Sequence, residues 1–284
     1  MPVTLENLSY IYAKGSPFET AALQNVALTI EEGEFVGLMG RTGCGKSTLI
    51  SLIAGLLVPV SGRVLLDGKD INAPAYERAE LRRKVGVVFQ YPEYQLFETT
   101  VERDVAFGLR RFGLSKDERQ ARVCRALETV GFDYQKVRAL SPLGLSGGEK
   151  RRVAIAGVLA AEPKLLILDE PVAGLDPLGR ERFLSLLDRL NAAGTTILMI
   201  SHNADALAEH ARRILALDDG RLVLDRSAQA FYADTETLAG YGLGTSSPAE
   251  LSSLLRGRGL NIGPVTRFDE LIDALSAEKG GSEK

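Results

Sequence analysis

GRTGCGKST, Gly40–Thr48, is the stretch on which the reading of this 284-residue chain turns. Its first eight residues fit G-x-x-x-x-G-K-[ST], with strand-like EFVGLM before them and a helical pattern, TLISLIAGL, from Thr48 onward. A phosphate-binding P-loop needs that context, because its glycines turn backbone N–H groups toward a polyphosphate at a helix N-terminus. The expected nucleotide contacts are Gly40, Arg41, Thr42, Gly43, Cys44, Gly45, Lys46, Ser47 and Thr48. Lys46 is placed to reach the β- and γ-phosphates and Ser47 to hold Mg²⁺.

A P-loop needs acidic and polar partners at neighbouring strand ends, and three further stretches supply them. LLILDE, Leu165–Glu170, delivers two carboxylates at the end of an apolar strand. Asp169 suits an Mg²⁺ ion and Glu170 suits the attacking water, as base or orienting group. Gln90 follows VGVVF and His202 follows TILMIS, so both fall where a ligand sits against an open α/β sheet. Gln90 is a candidate sensor of γ-phosphate and metal, and His202 a candidate to polarise the γ-phosphate or stabilise the attacking water.

FVGLM, VGVVF, LLILD and TILMI are short apolar runs, most of them followed by helical patterns, which predicts a mainly parallel α/β sheet. VTLENLSYIY, VALTI and RVLLDGKDI, with its Asp67-Gly68 turn, predict a separate antiparallel β layer. From Gln90 to Ser141 the pattern turns helical. Val101, Val105, Leu109 and Phe112 recur at helical spacing, and Ser115 with Glu118 forms a capping box before a helix through Val130. After about residue 234, GYGLGTSSP reads as a connector, with Ser247–Glu250 capping one helix and Thr266–Asp269 another. The organisation expected is a nucleotide-binding domain over 1–234, with a helical subdomain over about 91–160. A small helical extension follows over 235–284, disordered from AEKGGSEK onward.

A second anion cradle lies inside LGLSGGEKRRVAIAG, where Ser146, Gly147 and Gly148 directly precede a basic helical stretch. Unpaired N–H groups and the helix dipole suit that helix start to an anion. One nucleotide does not explain two cradles.

Composition narrows the class. A hydrophobic content of 45% supports a large core, and a net charge of −3 gives no general nucleic-acid-binding surface. Cys44 and Cys124 are too far apart in sequence to suggest a disulfide framework or zinc cluster, and the histidines are only His202 and His210. MPVTLENLSY lacks the basic start and apolar run of a signal peptide, and no stretch approaches the roughly 20 apolar residues of a membrane span. The expectation is a cytosolic chain that any membrane role would tie to another, anchoring chain.

Together these motifs resemble the ATP-binding-cassette (ABC) ATPases over about residues 3 to 233. GRTGCGKST corresponds to Walker A, Gln90 to the Q-loop, LSGGE to the signature, LLILDE to Walker B, GLDP to the D-loop and His202 to the switch histidine. The resemblance implies the ABC-type P-loop NTPase fold, ATP with Mg²⁺, and Tyr12 stacked on adenine, with Tyr10 as its rival. It also explains the second cradle. In that family two chains pair head to tail, so Ser146, Gly147, Gly148 and Glu149 of one face ATP on the other. Gly174, Leu175 and Asp176 then link the two sites.

Phe89–Gly108 and the run from Arg151 to Arg180 resemble the ATPase subunits of energy-coupling factor (ECF) transporters, and YPEYQLFE resembles the second of their two paralogues. The resemblance implies a second ATPase subunit, a paralogue rather than an identical chain, with a transmembrane coupling protein and a substrate-binding membrane subunit. It also implies a peripheral position at the cytoplasmic membrane face, vitamins or transition-metal ions as cargo, and no nucleic acid. The exposed-looking Tyr91, Tyr94, Leu96 and Phe97 are candidates for a docking groove or for packing beneath the helical insert. An ATPase of another ABC importer class is the nearest rival; a non-transport ABC ATPase fits less well, since the chain has neither a second cassette nor a long coiled coil. Val172 replaces the family's common Thr. Cys44, near a helix N-terminus, is expected to have a lowered thiol pKa.

Overall fold

Every residue of the strand preceding the P-loop is buried, because that strand lies inside a sheet covered on both faces. The computed structural model describes residues 1–281. The chain starts with the antiparallel pair β1 (Val3–Tyr12) and β2 (Thr20–Ile30) and passes through β3 (Phe35–Gly40) and α1 (Lys46–Ile53). It then returns to the first layer as β4 (Ser61–Leu66) and β5 (Lys69–Asp70), giving the order β2-β1-β4-β5.

Helix α2 (Arg78–Lys84) and β6 (Val85–Val88) lead into the helical insert, α3 (Val101–Ala106), α4 (Lys116–Thr129), α5 (Tyr134–Val137) and α6 (Gly147–Leu159). The second sheet is completed by β7 (Leu165–Asp169), α7 (Pro177–Ala192), β8 (Thr196–Ile200), α8 (Ala204–His210), β9 (Arg213–Asp218) and β10 (Arg221–Ser227). Its order is β10-β9-β3-β8-β7-β6, parallel except for the antiparallel β9–β10 edge pair. Four helices follow, α9 (Ala228–Ala233), α10 (Thr235–Gly240), α11 (Ser247–Gly257) and α12 (Phe268–Gly281).

Alternation along the strands divides the core in two. Phe35, Met39, Leu166, Leu168, Ile197 and Met199 join the helical insert and α7–α9 on one face. On the other face Val36, Leu38, Leu165, Ile167, Leu198 and Ile200 pack with α1 and the antiparallel layer. Since β3, β6, β7 and β8 run in one direction, their carboxyl ends share one rim, and that is what assembles the site.

Several local expectations are corrected. The helix through Val101 and Val105 does not continue to Phe112: α3 ends at Ala106 and a 3-10 turn covers Phe107–Arg111, with the poor helix former Gly108 inside it. Ser115 and Glu118 do form the expected capping box on α4. The cap of α11 is Ser246 rather than Ser247; the Ser247 N–H and hydroxyl go instead to Asp205, at 2.6 and 2.8 Å. Ahead of α12 the Glu270 carboxylate accepts the backbone N–H groups of Thr266 and Arg267. Disorder beginning at Ala277 is also corrected, since α12 runs through Gly281; residues 282–284 of that expected tail lie outside the described residues.

Candidate functional site

The turn from β3 into α1 has room for few side chains. Gly40 has φ +151°, and a Cβ there would lie 2.5 Å from both the Cys44 Sγ and the Leu217 carbonyl oxygen. Gly45 has φ +108°, and a Cβ would meet the Ala22 carbonyl oxygen at 2.5 Å. Both positions are glycine for backbone conformation and for close approach at once. Lys46 is buried, and its Nζ donates to the carbonyls of Gly40 at 2.6 Å and Arg41 at 2.9 Å. The ammonium is thereby held across the loop mouth, while Arg41, Thr42, Gly43 and Ser47 face solvent. Tyr12 reaches this loop from β1, its hydroxyl 3.1 Å from the Thr48 Oγ1, with Tyr10 edge-on to its ring.

Two strands away, β7 ends in Asp169 and Glu170, both half-buried. Burial pushes both carboxyls above their usual range; Lys46 and His202 pull the other way for Asp169, and His202 does so for Glu170. Glu170 has φ +49°, a left-handed conformation that few non-glycine residues adopt. It is pinned to β8, with its N–H on the Ile200 carbonyl at 3.0 Å and its Oε1 accepting the His202 N–H at 2.9 Å. The His202 Nε2 is 3.7 Å from the same Oε1. P-loop, acid pair and histidine thus occupy the ends of β3, β7 and β8, three adjacent strands.

These residues fit a magnesium-bound nucleoside triphosphate. Among the described residues no three His, Cys, Asp or Glu side chains gather as a metal site. A divalent ion here would have Asp169 and the exposed Ser47 hydroxyl as candidate oxygen donors, a small set that suits an ion shared with substrate phosphates.

The other predicted site residues sit on segments outside these three strand ends. Gln90 is exposed, two residues beyond the edge strand β6. Ser146 caps α6 and forms a capping box with Glu149, and Ser146, Gly147 and Gly148 are exposed. Gly174 has φ +75°, Leu175 is half-buried, and Asp176 caps α7 by accepting the Gly179 N–H at 2.8 Å.

Two expectations change. Burial raises the Cys44 thiol pKa and outweighs the opposing Lys46 charge, so the lowered value expected from its helix-start position is not found. Leu96 is buried, whereas Tyr91, Tyr94 and Phe97 are exposed, so the docking-groove candidates divide. Phe97 stacks edge-on against Phe107, which lines a cleft of about 740 Å³ between α2, β6 and α6.

Sequence reasoning missed Arg151. It lies buried on α6 in the stripe Arg151, Ile155, Leu159, and its guanidinium donates to the carbonyls of Glu170, Pro171 and Ala173. An arginine in an apolar i, i+4, i+8 stripe was the available signal.

The fold and the rim of its parallel sheet define a P-loop nucleoside triphosphatase. Residues 23–173 match the model of the family described as ABC transporter. The chain is 48% identical, over 92% of each sequence, to the energy-coupling factor transporter ATP-binding protein EcfA2 of Clostridium perfringens. It is similar to the solved structure of cbiO1 from that organism, described as part of the ABC transporter complex cbiONQ, with a TM-score of 0.73 and 38% identity over 84% of this chain and 93% of that one. A dimeric ATP-binding cassette, MJ0796, bound to ADP and Pi gives a TM-score of 0.70 and 33% identity over 80% of this chain and 98% of that one. The chain belongs to the ABC transporter family, among its energy-coupling factor ATP-binding proteins. It binds and hydrolyses ATP as a transporter subunit.

Proposed function

We propose that this chain is the second-paralogue ATPase of an energy-coupling factor importer, working at the cytoplasmic membrane face as a heterodimer with another cassette. The observation that carries the reading is the gathering of the P-loop, Asp169-Glu170 and His202 on one rim while Ser146–Gly148 stays exposed at the start of α6. A signature that faces solvent is available to a partner's nucleotide, and Gly174–Asp176 is the link between the two sites. Residues 1–234 form the nucleotide-binding domain, with the helical subdomain over about 91–160, and 235–284 the extension.

Tyr12 stacks on adenine, Gly40–Thr48 hold the phosphates, and Lys46 leaves its loop carbonyls for the β- and γ-phosphates. Ser47, Asp169 and Gln90 would hold Mg²⁺, which would supply charge neutralisation of the phosphates. Glu170 accepts the proton of the attacking water; its raised pKa brings its basicity closer to what proton transfer near neutral pH requires. His202 steadies the γ-phosphate. Closure follows because each ATP is bound better by two chains than by one.

Among the described residues no helix is long and apolar enough to cross a membrane, which supports transmission of the closing motion to a separate transmembrane coupling protein. The cleft beside Phe107, against which the exposed Phe97 packs, suits a helix of that protein. A substrate-binding membrane subunit selects the cargo, a vitamin or a transition-metal ion.

Affinity purification of the tagged chain from mildly solubilised native membranes tests the reading. A second cassette, a coupling protein and small substrate-binding subunits are expected. A conventional permease pair would move the chain to another importer class, and ribosomal or DNA-repair partners would end the transport reading.

A further inference from the structure

Arg151 stands between two strained turns. On one side its fork spans three carbonyls of the segment after β7: Nη1 donates to Ala173 at 2.7 Å, and Nη2 to Glu170 at 3.2 Å and to Pro171. That segment begins at Glu170, whose left-handed backbone persists only where its surroundings hold it. The Ile200 carbonyl and the His202 N–H hold Glu170 from the β8 side. Arg151 holds the adjoining peptide from the α6 side.

On the other side is the segment that follows Gln90. Tyr91 also has a left-handed backbone, φ +55°, and it leads into a 3-10 turn, Pro92–Gln95, that packs on α6. Glu93 in that turn has a buried Oε2 with no hydrogen-bond partner, and the Arg151 Nε is likewise buried without one. These two atoms are not bonded to each other, although the negative charge of Glu93 acts on the guanidinium and partly offsets the cost of its burial. Two buried atoms of opposite charge therefore each lack a bond that the other can supply. Unmet buried polar atoms in a native fold call for an explanation, and a second position of the segment in which the two atoms meet supplies one.

We propose that Arg151 is a positioning residue for hydrolysis, joining Glu93 on the segment after Gln90 to the Glu170–Ala173 turn. When that segment moves, the Glu93 carboxylate closes on the free Arg151 Nε. The guanidinium shifts with it, and the three carbonyls it holds carry Glu170 and the following Gly174–Asp176 loop into their hydrolytic places. The inference rests on the reading of Glu170 as base, and it adds how that base is set by the surface facing the membrane partner.

The test uses the assembled transporter, comparing wild type with Arg151→Met, Arg151→Lys, Glu93→Gln and the double variant Glu93→Gln/Arg151→Met. Steady-state ATPase gives kcat and KM, and a fluorescent ATP analogue gives nucleotide affinity without turnover. Arg151→Met is expected to lower kcat by about tenfold or more with affinity within about twofold, the signature of an interaction that acts on the chemical step. Arg151→Lys keeps the charge but not the fork, and is expected to lower kcat by about fivefold. Glu93→Gln alone is expected to lower kcat by about threefold or more, and to add nothing in the Arg151→Met background.

Independent, multiplicative effects of the two substitutions overturn the inference, as does an Arg151→Met protein whose affinity falls as far as its kcat. Should Arg151→Met not assemble, Glu93→Gln and Arg151→Lys decide alone: wild-type kcat in both overturns it. Glu170→Gln run beside them separates the two readings. Retained turnover there removes the base assignment, whereas lost turnover with independent Glu93 and Arg151 effects removes only the coupling.

Discussion

The Glu170 carboxylate accepts the backbone N–H of His202 at 2.9 Å, so the end of β7 and the end of β8 are locked together through the acid itself. An amide keeps that contact, because the Gln carbonyl oxygen accepts the same N–H. Glu170→Gln is therefore expected to fold, to bind ATP and to favour the closed dimer, while turnover falls by about a hundredfold or more, the size of a lost general base. Steady-state hydrolysis beside nucleotide-binding measurements checks it, and wild-type turnover would remove Glu170 from the chemistry.

Lys46 should behave differently. Its Nζ rests on two carbonyls of its own loop, so Lys46→Ala removes both the phosphate contact and the internal tie across the loop. ATP affinity is expected to fall by about tenfold or more, in line with a charge-assisted contact worth about 1.5–3 kcal/mol. Isothermal titration with ATP and Mg²⁺ reads this directly, and unchanged affinity contradicts the assignment.

Cys44 is buried, and its thiol is pushed up by that burial, so the free protein should react slowly with iodoacetamide at neutral pH and faster as the pH rises. Since Sγ occupies the space a Cβ on Gly40 would need, a carbamidomethyl group there distorts the loop. Complete modification is expected to block ATP binding, and bound ATP to protect the thiol. Peptide mass spectrometry with and without nucleotide gives the answer; full affinity after complete modification is the contrary result.

Asp169 and Glu170 carry the pH dependence of the nucleotide-free chain. Both carboxyls have folded pKa values raised above their unfolded values, chiefly by burial, so the folded state holds their protons more tightly. Stability from this source is greatest below the unfolded pKa and declines as pH rises through the window up to the raised folded pKa. At neutral pH both charges oppose folding. Asp169→Asn is accordingly expected to raise the melting temperature of the nucleotide-free protein by about 2–4 °C at neutral pH, with the gain shrinking under acid conditions. Its Mg²⁺-dependent ATP hydrolysis should be lost. Thermal scans across pH test the sign, and a lower melting temperature at neutral pH refutes it.

Most of the rim was legible because its residues depend on nearby sequence. Gly40–Thr48 is one continuous turn, and Asp169, Glu170 and His202 each follow an apolar strand directly. Leu165–Asp169 and Thr196–Ile200 read as buried strands because both of their faces are covered, which leaves no polar alternation to confuse them. The illegible parts depend on partners far along the chain. Arg151 has an ordinary surface composition around it, Lys150 and Arg152, yet its acceptors come from Glu170 to Ala173. Ser246 and Ser247 are interchangeable as caps by sequence; Asp205 on α8 decides which is drawn away. Cys44 sits at a helix start, and only the packing around it shows that burial outweighs position.

The capping box at the start of α6 has a consequence for the resting chain. The Ser146 N–H and hydroxyl both donate to the Glu149 Oε2, at 2.9 and 2.7 Å, and these bonds hold the Glu149 carboxyl below its usual range. The second cradle already holds an anion of its own. On the proposed head-to-tail pairing, a γ-phosphate arriving from a facing chain would compete with this carboxylate, which stays charged to lower pH than an ordinary glutamate. Docking at this end would then be an exchange of one anion for another, with the Ser146 hydroxyl and N–H engaged by the chain's own Glu149 until a better oxyanion takes that place.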